Sequence, residues 1–103
     1  MTSTHPSNIL FNNLIEEMKA MAALKQADYG SDADPFANVR GGAQDMGLAP
    51  WIGAAIRMGD KMRRIQKAAR MGVDSLNFDS VEDDLIDMAN YALIARTLLE
   101  EEK

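Results

Sequence analysis

Apolar residues recur along this chain at intervals of three and four, and no stretch alternates apolar with polar over a strand's length, so the pattern predicts helices throughout. Phe11, Leu14, Ile15, Met18, Met21 and Ala22 mark the inner side of a first helix. It is expected to start after Ser7, a residue type that caps helix N-termini, and to stop at Tyr29-Gly30. Beyond the polar Ser31 to Ala33, Asp34-Pro35 sets a capping residue before a proline at the first helical position. This opens a short helix through Phe36, Val39 and Met46, weakened in its middle by Gly41-Gly42. A third helix begins at Pro50, carries Trp51, Ile52, Ala55, Ile56, Gly59, Met62 and Ala69 inward, and ends at Met71-Gly72. Val73 to Asp79 connects it to a fourth. That helix is expected to start at Ser80, with Asp83 three residues on as a capping-box-like partner, and to reach Glu100-Glu101-Glu102-Lys103. The expectation is all-α: one compact bundle of about four helices over residues 8–103, behind a disordered polar lead-in at residues 1–7.

The fourth helix carries the most informative departure from the pattern. Asp84 and Asp87 share a side with Tyr91, Ile94 and Leu98, a stripe that should pack rather than face water. Two carboxylates held there need a cation, and a divalent metal, a basic side chain or a shared proton would each serve. Opposite charge is available on the third helix, where Arg57, Asp60, Lys61 and Arg64 fall at spacings of three and four. They form either a solvated, salt-bridged surface or a phosphate clamp in which the arginines fork onto phosphate oxygens and Asp60 orients them. Lys25 extends the apolar side of the first helix. It can snorkel to water, balance the buried carboxylates or touch phosphate. Glu17 and Asp28 share one side of the same helix, three turns apart, and can face Asp84 and Asp87.

Composition narrows the classes. With 103 residues, a net charge of −5 and 47% apolar residues, the chain is near the small end for burying a core alone, which makes a homo-oligomer, most simply a dimer, an expectation. The last helix, apolar on most of its sides between Leu85 and Leu99, suits the centre of a bundle or a subunit contact. The acidic balance argues against a duplex-DNA binder, whose affinity comes from neutralising phosphates. The absence of cysteine removes thiolate chemistry and favours the cytoplasm without excluding other compartments. No apolar run approaches the roughly 20 residues that span a bilayer, and no secretory signal pattern is present. The eight methionines read as adaptable core or interface filler.

Several blocks carry a resemblance. Lys25-x-x-Asp28-Tyr29-Gly30, Asp34-Pro35-Phe36-Ala37-Asn38-Val39-Arg40, Trp51, Arg57-Met58-Gly59-Asp60-Lys61-x-x-Arg64 and Asp83-Asp84-Leu85-x-Asp87-x-Ala89-Asn90-Tyr91 together resemble small phage and prophage proteins of the nucleotide modification associated domain type. The resemblance spans most of residues 20–98 and implies a nucleotide-related role, in the host cytoplasm if the chain is phage-encoded. A second, more distant similarity is to MazG-like all-α nucleoside triphosphate pyrophosphatases, whose EExxE and ExxD helices hold magnesium against substrate phosphates. Asp84-x-x-Asp87 resembles the later motif with aspartate in place of glutamate. In the earlier one Glu16-Glu17 supplies two acids and Ala20 stands where the third belongs, with Asp28 or Asp60 as substitutes.

On that resemblance Asp84, Asp87 and Glu17 would hold Mg2+, with Asp84, Asp87 and Asp60 as the catalytic acids. Lys25, Asp28, Tyr29, Arg57, Lys61, Arg64 and Tyr91 would bind phosphate and base. Tyr91, Trp51 or Phe36 can stack on a base or simply pack in the core, and Asn90, placed on another side of the helix, reads as a surface or helix-contact residue. The expected function is nucleotide handling, in the form of a magnesium-dependent nucleoside triphosphate pyrophosphohydrolase. The alternatives are a non-catalytic nucleotide-binding or sequestering protein, and a structural helical oligomer without ligand.

Overall fold

A computed structural model describes residues 5–29, 33–72 and 77–103, with backbone alone at Tyr29, Phe78 and Asp79. The described residues form four helices and no strand: α1 (Pro6–Tyr29), α2 (Ala37–Asp45), α3 (Pro50–Arg70) and α4 (Phe78–Glu101). None of them is long and apolar enough to cross a membrane.

α3 and α4 are the principal packed pair, α2 lies against α3, and α1 touches α4 more sparsely. Val39, Ala54, Ile94 and Leu98 form the buried core, with Phe36, Trp51, Tyr91 and Ala95 packed around it. The α2–α3 contact depends on small residues. A Cβ on Gly53 would lie 2.8 Å from the Ala43 Cβ, closer than two carbons can sit, so glycine at 53 lets the two helices approach.

The ends of the helices follow local chemistry in ways the sequence pattern only partly predicted. α1 starts before Ser7: the His5 carbonyl accepts from Asn8 and Ile9, and its ring Nδ1 accepts from the Ser7 N–H at 3.0 Å. In α4 the cap is Asn77 rather than Ser80, because the Asn77 amide oxygen accepts from the Ser80 N–H at 3.2 Å. Asp34 does receive the Phe36 N–H, at 3.0 Å, but the result is a turn, and α2 begins only at Ala37. Arg40 then bridges Asp34 at 2.8 Å and Glu101 at 2.7 Å, tying the start of α2 to the end of α4. α3 begins at Pro50 as its sequence predicts and gives way to Gly72, whose φ of 96° favours glycine.

Two predicted inner faces are corrected. On α1, residues 5–14 are all exposed, Phe11 by 63% and Leu14 by 40%. Only the later part of the apolar stripe, from Ile15 through Met18, Met21 and Ala22 to Lys25, is half-buried. On α3, Ile56 and Met62 are exposed, whereas Ala54 is buried and Arg57, Met58, Lys61, Ile65 and Ala68 are half-buried. The helix is therefore rotated so that part of its charged stripe faces inward, where α4 presents the acids to meet it.

Candidate functional site

α4 places Asp84, Asp87 and Asn90 on its buried side, together with Ile94 and Leu98, by ordinary three- and four-residue spacing. Asp84 and Asp87 are only 5% and 8% exposed. Their charge is met by three cations from two other helices. Lys25 of α1 reaches Asp87 Oδ1 at 2.5 Å, and Lys61 of α3 reaches Asp87 Oδ2 at 3.1 Å. Lys61 also stands 3.9 Å from Asp84 Oδ1, while Arg64 Nε lies 3.3 Å from Asp84 Oδ2. A buried carboxylate is tolerated only when paired in this way, so the network is the condition for α4 to bury its acidic turn. Burial pushes the Asp87 carboxyl up, but the hydrogen bonds and charges of Lys25 and Lys61 outweigh it and hold the group below the usual carboxylate range.

Lys25 and Lys61 of this network also border a cavity of about 330 Å³ between the helices. Lys25 and Gln26 of α1, Phe36 and Asn38 at the start of α2, Arg57 and Lys61 of α3, and Asn90 and Tyr91 of α4 line it. Two features of this lining are unusual. Arg57 makes no ion pair among the described residues, although its Nη2 packs close over Gly42, where an added Cβ would sit 3.4 Å away. Asn90, only 8% exposed, makes no side-chain hydrogen bond among the described residues. Since no fully enclosed side-chain polar atom there lacks a partner, the Asn90 amide must open onto the cavity. Among the described residues, Lys25 and Lys61 pair with Asp87, Lys61 and Arg64 with Asp84, and Arg57 adds a further cation to the lining.

No known protein family, curated protein or solved structure matches this chain. The chemistry of the cavity lining therefore carries the functional argument.

Of the residues singled out in the sequence, Lys25, Arg57, Lys61 and Tyr91 line the cavity, and Asp84, Asp87 and Arg64 stand behind the lysines as their charge network. Asp60 is not brought there: it is exposed and pairs with Arg63 one turn along α3. Glu17 and Asp28 are exposed on α1, and the Tyr29 side chain lies outside the described residues. Trp51 packs against the core, and Phe36 and Tyr91 both pack there and line the cavity. Asn90 is the residue the sequence reading misplaced. It lies three residues after Asp87 and four before Ile94, a spacing that marks the buried side, and a polar amide within that stripe was the available signal.

These residues do not fit a resident magnesium ion. Among the described residues no three histidine or acidic side chains converge, and the oxygens of Asp84 and Asp87 are already engaged by ammonium and guanidinium groups.

Proposed function

We propose that this protein binds a mononucleotide, or a phosphorylated ligand of the same build, in the cavity between its helices and does so without breaking it down. The observation that carries this reading is Arg57, a guanidinium with no carboxylate partner among the described residues, held beside Lys25 and Lys61 in one cavity. Phosphate is the ligand group whose geometry a guanidinium fork and two ammonium groups match best. Phe36 and Tyr91 offer apolar ring surface for a base, and Asn90 and Asn38 offer both donors and acceptors for its polar edge. The volume sits at the lower end of the about 300–1,000 Å³ common for ligand pockets, a size that suits one nucleotide unit rather than a dinucleotide.

Binding without turnover is favoured by the state of the acids. To activate water or take up a metal, Asp84 and Asp87 would have to release Lys25, Lys61 and Arg64, leaving buried charges unpaired. Calorimetry with nucleoside mono-, di- and triphosphates tests the reading. Saturable binding is expected, weakened about ten- to a hundredfold by Arg57→Ala, as the loss of a charged hydrogen bond implies. Pyrophosphate or phosphate release in the presence of magnesium would instead support the pyrophosphohydrolase reading. No binding of any nucleotide would leave the helical bundle as a structural module.

A further inference from the structure

The outer side of α4, opposite the charge network, carries a pattern that is symmetric about one residue. Ala89 is exposed at its centre. Four residues before and four after it stand Leu85 and Leu93, 53% and 54% exposed, and seven residues before and after stand Glu82 and Arg96, also exposed. These offsets are the ones that return to the same side of a helix. Exposed leucines flanking a small residue, with opposite charges beyond them, make a surface complementary to its own copy turned end for end.

We infer that this face is a homodimer contact in which α4 of one copy crosses α4 of a second copy antiparallel, with Ala89 on the two-fold axis. Ala89 admits close approach of the two backbones, Leu85 packs on Leu93 of the second copy, and Glu82 meets Arg96 of the second copy, each contact occurring twice as an isologous interface requires. Charge selects this arrangement. Parallel helices would set Glu82 against Glu82 and Arg96 against Arg96, and an antiparallel slip of four residues would bring Glu82 to Glu100 of the second copy. Leu93, Arg96 and Thr97 line a groove on this face, which gives the incoming leucine a seat. In the isolated chain Arg96 pairs with Glu100 on the exposed surface, a contact of little worth that leaves the guanidinium open to a second acid. The contact lies on the opposite side of α4 from the cavity, so it does not depend on the nucleotide reading.

The natural absence of cysteine makes the axis directly testable. Sedimentation of the full chain should give twice the 11.3 kDa chain mass, and Leu93→Glu should return the single mass with helical content unchanged. Ala89→Cys should form a covalent dimer under mild oxidation, and Lys67→Cys, on the exposed side of α3, should not. Glu82→Arg and Arg96→Glu should each weaken the dimer, and the two together should restore it. A wild-type chain that sediments as a monomer overturns the proposal. So does equally fast cross-linking at position 67, or a charge-swapped double variant no stronger than either single one.

Discussion

Asp87 joins Lys25 of α1 to Lys61 of α3 through its two oxygens, so one carboxylate on α4 links three helices. Because its carboxyl titrates lower in the folded chain than in the unfolded one, its contribution is complete above the unfolded value near pH 4. It is lost as the pH falls through the folded value. Asp87→Asn should therefore cost about 1–3 kcal/mol at pH 7, a range that allows for the water still reaching Lys25. The melting temperature of the variant should also fall less steeply than that of the wild type between pH 5 and pH 3. Equal acid slopes in scanning calorimetry would show that Asp87 is not the titrating link. Asn90 separates stability from binding. Its amide opens onto the cavity and has no partner among the described residues, so Asn90→Leu, which keeps the branched shape, should leave stability unchanged or raise it by about 1 kcal/mol. The same change should weaken nucleotide binding, and a variant that binds as well as the wild type would remove Asn90 from the site.

Helices and their order were legible because periodicity and end signals act locally: Pro50 and Gly72 bracket α3 as their backbone preferences require. The side that α3 buries was not legible. Arg57 and Lys61 look solvated when α3 is read alone; Lys61 turns inward because α4 offers Asp84 and Asp87 at the matching height, a pairing that no single-helix pattern contains, and Arg57, one turn earlier, shares that side. The α4 stripe from Asp84 to Leu98 was readable, since its apolar members fix the face whatever the acids do. Of the candidate site, the cations and the two buried acids were visible in the sequence, whereas Asp60 and Glu17 matched a motif's chemistry without sharing its place in space. The α2–α3 seam gives a direct test of packing. Gly53→Val should lower stability by about 1–3 kcal/mol by forcing the helices apart, and adding Ala43→Gly should recover part of that loss in denaturant titrations.

The molecule as a whole is unevenly knit. α2, α3 and α4 share the core, while α1 is held at its C-terminal end, where Lys25 meets Asp87 and Lys25 and Gln26 border the cavity. Its first turns, with Ile9, Leu10 and Phe11 exposed, project without that support. Amide hydrogens of α1 should accordingly exchange with solvent faster than those of α3 and α4, because the free energy to open it locally is smaller. A phosphate gripped by Lys25 on one side and Arg57 on the other would act as a clasp between the loosest helix and the body of the protein. Its arrival should then be recorded as slowed deuterium uptake along α1, far more than at the core helices, so that the least anchored helix becomes the reporter of an occupied site.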